Sequence, residues 1–192
     1  MTMAAKQEEH WVDAARRGDR AAFRRLVEAH ACALFTVCAR ITRDAALAED
    51  AVQEALFNAY RHLADFDGRS AFKTWLHRIA VNAALEQLRR RHRDEICGSD
   101  LGESEDEEDF LLSRVAEIPS PGQEARGAEI RRRVDAELAR MTLTERTAFV
   151  MRHAEGQSLK DISQALSLNI SACKQAIFRA VRKLRGALQP LR

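Results

Sequence analysis

The sequence predicts an all-α protein made of two small helical domains joined by a flexible acidic linker. Only 8 of the 192 residues are glycine and 3 are proline, and no proline precedes Pro119, so little interrupts helices over the first 118 residues. Apolar residues recur every three to four positions, and no segment has a strand pattern of any strength. Acidic residues concentrate between two basic segments, which divides the chain in two.

The first domain, residues 1–93, is expected to be a four-helix bundle. A short helix starts near Glu9, and Asp19 is placed to cap a second helix. Asp44 starts a third, whose apolar residues repeat at helical spacing. Ser70 is expected to cap a fourth helix, which runs into a cluster of arginines. These four amphipathic segments provide enough apolar surface for one small core.

Residues 94–127 are predicted to be the linker. The segment 94–126 holds eleven Asp and Glu against two arginines, a net charge of −9, whereas the whole chain is formally +2. It also holds two of the three prolines. Like charges repel, so we expect an extended and flexible tether between two basic domains. An apolar segment inside it, Phe110-Leu111-Leu112, has the composition to dock on either domain.

The second domain, residues 128–192, is predicted to contain four more helices. Their expected starts carry helix-capping or helix-favouring residues, in order at about Ala128, at Thr142, at Ser158, and at Asn169 or Ser171. The third of these helices is short, and a three-residue turn separates it from the last. Ser167, the first residue of that turn, stands where a glycine would ease the backbone.

A short helix, a tight turn and a longer helix form the geometry that lays a helix in the major groove of DNA. From Asn169 to Arg185 the last helix carries five cations and no acid. Short polar and amide side chains in its first turns suit base edges, and the basic residues after them suit phosphates. Its buried stripe is expected at Ile170, Cys173, Ile177, Ala180, Val181 and Leu184. A merely solvated basic face is the alternative.

Aromatic and cationic residues meet at a loop-to-helix junction in the first domain, residues 66–76. Unpaired bases stack on aromatic rings beside cations, so this junction is a candidate site for capturing a single strand. Phe72 and Trp75 fit a helical core equally well, which makes their polar neighbours the better candidates for contact. Upstream, Asp50, Gln53 and Glu54 share one helical face, which indicates a basic protein partner or a solvated surface.

Other classes of protein find little support. The apolar runs are far shorter than the ~20 residues that a bilayer crossing needs, and no secretory signal is visible, so we expect a cytoplasmic protein without direct membrane insertion. A helical enzyme or metal sensor would have to use His10, His30, Cys32 and Cys38. Cys32 and Cys38 are badly spaced for one helical face and are expected to be core thiols. No catalytic residue, cofactor or metal is predicted.

Two segments together resemble the extracytoplasmic-function (ECF) sigma factors, the group IV initiation subunits of bacterial RNA polymerase. Asp44–Arg90 contains Asp-Ala-Ala-Leu-Ala-Glu-Asp-Ala-Val-Gln-Glu and Phe-Asp-Gly-Arg-Ser-Ala-Phe-Lys-Thr-Trp-Leu, and it resembles region 2 of that family. Thr142–Arg185 contains Leu-Thr-Glu-Arg, Glu-Gly-Gln-Ser-Leu-Lys-Asp-Ile-Ser and Ala-Val-Arg-Lys-Leu-Arg, and it resembles region 4. Both segments occur in the family's order, with a linker between them.

The resemblance implies three binding surfaces and two macromolecular partners, core RNA polymerase and promoter DNA. The polymerase clamp helices would be gripped by Asp50, Gln53 and Glu54. The minus-ten element would be melted and read by Asp67, Arg69, Ser70, Lys73, Trp75, Arg78 and Asn82. The minus-thirty-five duplex would lie against Ser171, Ala172, Lys174, Gln175, Phe178, Arg179 and Arg182, although Phe178 also suits a buried position.

The resemblance also implies control by an anti-sigma factor, often a membrane-anchored one, that hides both the polymerase and the DNA surfaces. Two departures from the family pattern bear on promoter preference. Glu86 stands where Asp is common, and Ala172-Cys173 replaces a commoner Gly-Val or Thr-Val pair. The alternative function is a stand-alone helix-turn-helix regulator whose N-terminal domain senses a ligand or dimerises.

Overall fold

A computed structural model describes residues 3–97 and 121–189. Within those ranges the chain forms eight α-helices and no strand, so the all-α prediction is confirmed. The chain divides into two compact units between Leu88 and Arg89. Most of the predicted linker, including Phe110-Leu111-Leu112, lies outside the described residues, and the predicted limits at 93 and 127 stay predictions.

The first unit contains three helices, one short 3-10 turn and most of a fourth helix, whose residues from Arg89 onward belong to the second unit. Their bounds are α1 Met3–Arg16, α2 Arg20–Thr42, α3 Ala45–Arg61, the 3-10 turn Leu63–Asp65, and α4 Phe72–Cys97. Helix α2 packs against both α1 and α3. Helix α4 contacts α2, where the Cys38 thiol donates to the Ala80 carbonyl at 3.7 Å. The core consists of Leu26, Leu34 and Ile41 from α2 with Leu76 and Val81 from α4.

Helix α3 enters this core through alanines. Ala48, Ala51, Ala55 and Ala59 repeat every three to four residues, and all four are completely buried. Small side chains let the α3 backbone lie close to its neighbours, which leaves the polar and aromatic positions of the helix for the opposite face.

The predicted caps of α2 and α3 are confirmed. The Asp19 carboxylate accepts hydrogen bonds from the amides of Ala21 at 2.8 Å and Ala22 at 3.1 Å. The Asp44 carboxylate accepts from the Leu47 amide at 3.0 Å. Each cap satisfies backbone N–H groups that have no partner within the helix.

The prediction that Ser70 caps α4 is wrong. Helix α4 begins at Phe72, and its first turn is closed by a 3.1 Å bond from the Trp75 amide to the Ala71 carbonyl. Other helix limits also differ. Helix α1 starts at Met3 rather than near Glu9, and α4 continues to Cys97, because no helix-breaking residue intervenes before Gly98.

The second unit has four helices and one π-helical turn. Their bounds are α5 Pro121–Ala139, α6 Leu143–Phe149, the π turn Val150–Ala154, α7 Leu159–Leu166 and α8 Ile170–Leu188. Helix α5 starts at a proline rather than near Ala128, as suits a first helical position where no amide bond is lost. The second unit has a hydrophobic cluster of four buried residues, Leu138, Met141, Ala180 and Leu184, with Val134 and Phe149 packed against them.

Side-chain caps begin the last three helices as predicted. Thr142 accepts from the Glu145 amide at 3.3 Å, and Ser158 accepts from the Asp161 amide at 3.1 Å. Of the two candidates for α8, the cap is Asn169, which accepts from the Ala172 amide at 2.8 Å. None of the described helices offers the long apolar stretch that a bilayer crossing requires.

Candidate nucleic-acid interface

Helices α7 and α8 form the predicted helix-turn-helix. The turn reverses at Ser167, whose φ of +53° lies in the left-handed region that favours glycine. The Leu168 amide donates to the Ser163 carbonyl at 3.0 Å, and the Ser163 hydroxyl donates back to the Leu168 carbonyl. Backbone and side-chain bonds therefore close the turn and fix where α8 begins.

The predicted buried stripe of α8 is correct in part. Cys173, Ala180 and Leu184 are buried, and burial raises the pKa of the Cys173 thiol. Ile170 is 47% exposed, so its assignment to the stripe is wrong. Ala176, which is completely buried, completes the stripe instead, because it lies with Cys173 and Ala180 at helical spacing.

The opposite face of α8 carries the predicted minus-thirty-five residues. Ala172 is half-buried, and the other six are exposed, namely Ser171, Lys174, Gln175, Phe178, Arg179 and Arg182. Phe178 is 66% exposed, which excludes the buried position that the sequence left open. Four of these residues line one open depression on the helix surface, namely Lys174, Gln175, Phe178 and Arg179. A ring, an amide and two cations thus lie together in reach of a ligand.

A buried acid behind this face was missed by the sequence analysis. Glu145 of α6 is only 6% exposed, and its two carboxylate oxygens bind Lys183 Nζ at 2.6 Å and Arg179 Nε at 3.1 Å. The hydrogen bond from Lys183 lowers the pKa of the Glu145 carboxyl below its ordinary 4.5, with help from the charge of Lys183, the Thr142 backbone amide and the charge of Arg179. Burial acts in the opposite direction.

In the first unit, the loop before α4 is held by an aromatic cluster. Phe66 and Phe72 are both buried and meet edge to face, with ring centroids 5.8 Å apart. Trp75 is half-buried, with its ring centroid 5.2 Å from that of Phe66 and 5.7 Å from that of Phe72. The core alternative therefore applies to Phe72, and Trp75 retains a partly accessible surface.

Between the two phenylalanines, residues 67–71 are all exposed. Gly68 has a φ of +73°, which glycine adopts without strain. Asp67 accepts from the Arg69 amide at 3.0 Å and also pairs with the Arg69 guanidinium at 3.0 Å. The loop is thus a tight turn presented to solvent by buried rings on either side.

Helix α4 does not bring all of its predicted minus-ten residues together. Trp75, Arg78 and Asn82 follow one another at three and four residues, which places them along one face. Lys73 is exposed but lies about 180° around the helix from Asn82, on the opposite side. Arg69 and Ser70 are exposed in the loop.

The predicted acidic face of α3 is only partly available. Asp50 and Gln53 are exposed, whereas Glu54 is half-buried and accepts a 2.9 Å hydrogen bond from Gln87 of α4. Two aromatic residues extend the same face at helical spacing, namely Phe57, 60% exposed, and Tyr60, 44% exposed. The spacing of these apolar residues outside the alanine stripe was the signal that could have revealed them.

The residues of the metal-sensor alternative do not converge. Among the described residues no group of three or more His, Cys, Asp or Glu is placed to hold a metal ion. Cys38 is buried as expected, but Cys32 is exposed, so its prediction as a core thiol is wrong. His30 bonds Glu8 at 2.6 Å and joins α2 to α1.

A helix-turn-helix with an exposed cationic face, carried with a second helical unit, defines an all-α DNA-binding protein. Comparison with known families gives the particular class. Residues 26–94 match Sigma-70 region 2, and residues 131–184 match Sigma-70, region 4. The chain therefore belongs to the sigma-70 family, in its extracytoplasmic-function group.

Two relatives match over nearly their whole length. The RNA polymerase sigma-H factor of Pseudomonas aeruginosa is 35% identical over 190 residues, 98% of this chain and 97% of that protein. The ECF RNA polymerase sigma-E factor of Haemophilus influenzae is 31% identical over 187 residues, 94% of each chain.

Two solved structures share the fold. CnrH in complex with the cytosolic domain of CnrY has a TM-score of 0.57 at 23% identity, covering 96% of this chain and 98% of that one. The sigma factor RpoE in complex with the anti-sigma factor NepR from Bartonella quintana has a TM-score of 0.59 at 22% identity, covering 87% and 96%.

Proposed function

We propose that this protein directs core RNA polymerase to specific promoters and assists in melting them, without covalent chemistry of its own. One observation carries the proposal: an ordered pair of sigma-70 regions occupies a single chain, and the second of them presents an exposed cationic helix in a helix-turn-helix. Each unit contributes one class of contact, and the tether makes the second contact intramolecular.

The second unit is assigned the minus-thirty-five duplex. We expect the exposed face of α8 to enter the major groove. Ser171, Lys174 and Gln175 would then face base edges, and Arg182 would face phosphates. Phe178 supplies an apolar surface in that depression, which suits a thymine methyl group.

The first unit is assigned the minus-ten element. The exposed turn at 67–71 and the face of Trp75, Arg78 and Asn82 combine a partly accessible ring with cations and an amide. An unpaired base is bound by stacking and by edge contacts of this kind. Lys73, on another side of α4, is assigned to backbone phosphate.

Core polymerase is assigned to the exposed face of α3, at Asp50 and Gln53, with Glu54 holding that face against α4. Reversing the charge in Asp50→Arg is expected to reduce binding of core polymerase at least tenfold, because a basic partner surface would then meet a cation. Asp13→Arg, at an exposed acid on α1, is the matched control and should bind normally. Equal binding by both variants would contradict the assignment.

A run-off transcription assay tests the whole function. Core polymerase with this protein should give a promoter-specific transcript that neither component gives alone. A gel shift of duplex DNA with and without core polymerase excludes or supports the alternative of a stand-alone regulator. Tight duplex binding by the protein alone, with no transcript from the mixture, would overturn the proposal.

We also propose that an anti-sigma factor controls this protein and that this anti-sigma factor is anchored in the membrane. Support comes from the two similar structures: the sigma factor RpoE is bound to the anti-sigma factor NepR in one, and CnrH is bound to the cytosolic domain of CnrY in the other. Co-purification from the native cell should recover polymerase subunits and the inhibitor, and separation of membranes from cytosol would show where the complex lies. Recovery of polymerase alone under all growth conditions would contradict this control.

A further inference from the structure

A carboxylate beneath a DNA-facing helix is electrostatically unfavourable for binding phosphate. The last helix, α8, contains no acid between Ile170 and Leu188, yet Glu145 of α6 reaches it and neutralises part of its charge. Because this acid lowers the positive potential of the face, its contribution to recognition has to come from orientation rather than attraction.

Glu145 is itself held in place. It lies in the first turn of α6, where its own amide donates to the Thr142 cap, and its side chain is 6% exposed. One oxygen accepts from Lys183 Nζ at 2.6 Å, and the other pairs with Arg179 Nε at 3.1 Å. A buried carboxylate that is held by close contacts with this many partners is a rigid support for the side chains it binds.

Because Arg179 contacts Glu145 through Nε, the other nitrogen atoms of its guanidinium group remain available to a ligand. Its Nε lies 3.1 Å from a carboxylate oxygen of Glu145 as an ion pair, whereas the side chain as a whole is 52% exposed. The two Nη groups at the far end of the guanidinium carry the remaining four donors in a planar fork. That fork matches O6 and N7 of guanine, the commonest base contact of arginine in a major groove.

We propose that Glu145 is a positioning residue that orients Arg179 so that its terminal fork reads a guanine in the minus-thirty-five duplex. The inference rests on the proposed function, since it assumes that α8 enters the major groove. Lys174 and Arg182 lie on the same exposed face, and within the described ranges neither has an ion pair of this kind, so they are free to follow phosphates.

The test is selection of minus-thirty-five sequences from a randomised duplex library by the holoenzyme, formed from the full chain and core polymerase. Wild-type holoenzyme should enrich a guanine at one position. Glu145→Gln should lower the preference for that guanine about tenfold, while binding to unselected DNA stays equal or becomes tighter because an acid is lost. Arg179→Lys, which keeps the charge but lacks the fork, should lose the same preference, and the double variant should lose no more.

Lys183→Gln is the matched control, because it removes the other partner of Glu145 and leaves the contact with Arg179. It should weaken binding to all sequences alike and keep the guanine preference. If Glu145→Gln does not fold by circular dichroism, Glu145→Asp, whose carboxylate is one methylene shorter, takes its place in the same selection.

Three results would overturn the inference: an unchanged guanine preference in the Glu145 variant, a loss of affinity that is uniform across sequences, or an unchanged preference in Arg179→Lys. Failure of the proposed function is distinguishable from these, because then wild-type holoenzyme itself would enrich no sequence.

Discussion

At the scale of single residues, the carboxylate of Glu145 is held by contacts with two cations in the second unit. It joins α6 to α8 through two cations, and the hydrogen bond from Lys183 is the largest cause of its lowered pKa. The folded state therefore takes up a proton on this group less readily than the unfolded state does. Its contribution to stability is complete above the unfolded pKa and is lost as pH falls through the lower folded pKa.

We therefore expect the second unit of the wild-type protein to lose thermal stability as the pH falls below about 4.5, and Glu145→Gln to lose less over the same range. Far-UV circular dichroism follows both units. Tryptophan fluorescence follows the first unit alone, because Trp11 and Trp75 are the only tryptophans. Parallel curves of unfolding temperature against pH for the two proteins would contradict this role of Glu145.

A second prediction concerns Phe178, whose replacement should weaken promoter binding without changing the stability of the fold. Because its ring is 66% exposed, Phe178→Ala should change the free energy of unfolding by less than ~0.5 kcal/mol, while promoter affinity of the holoenzyme falls. Leu184→Ala, at a core position that is 6% exposed, should cost about 2–5 kcal/mol. Chemical denaturation and promoter titration of both variants measure the contrast, and a large stability loss in Phe178→Ala would show that the ring is packed.

At the scale of elements, the helix-turn-helix depends on a turn whose backbone conformation is unfavourable for the serine at position 167. Ser167 adopts a φ of +53°, which costs a residue with a Cβ roughly 1 kcal/mol relative to glycine. The surrounding bonds from Leu168 and Ser163 maintain that conformation. The turn is thus determined by its neighbours more than by the residue that occupies it.

Ser167→Gly should accordingly stabilise the second unit by about 0.5–1 kcal/mol, because the left-handed backbone is then unstrained. Ser167→Ala is the control and should give no gain, since alanine bears the same Cβ. Thermal unfolding by circular dichroism measures the difference, and the fluorescence transition of the first unit should not move. Destabilisation by glycine would mean that entropy of the unfolded chain outweighs the strain.

At the scale of the whole molecule, joining two binding units in one chain makes the binding of the second unit an intramolecular event. Once one unit has bound, the other searches a small volume, so weak separate contacts add up to a firm complex. The proposed contacts of the second unit with phosphate are expected to make that complex sensitive to salt, because each cation that binds a phosphate releases counterions from the DNA.

Promoter affinity of the holoenzyme should therefore fall linearly on a plot of log K against log salt concentration. Arg182→Gln should reduce the slope by about 1, as expected for one lost phosphate contact. Arg17→Gln, at an exposed position after α1, serves as the control and should leave the slope unchanged. A slope that is the same in all three proteins would exclude a phosphate contact by Arg182.

Features with a local physical cause could be read from the sequence. The caps at Asp19, Asp44, Thr142 and Ser158 follow from a side chain meeting amides two or three residues ahead. Helical periodicity predicted the eight helices and the cationic face of α8, since both depend on spacing along one segment. The exact helix ends were less predictable, as Pro121 and Cys97 illustrate.

What only the tertiary structure decided depends on contacts between distant segments. Glu145 meets Lys183, 38 positions further along the chain, because α6 and α8 pack together. The exposure of Ile170 and Phe178 and the burial of Ala176 likewise depend on which helix covers which face. By itself the sequence determined the helical class, its caps and its charged surfaces, since periodicity and capping act within a turn or two, whereas burial and ion pairing exist only once helices meet.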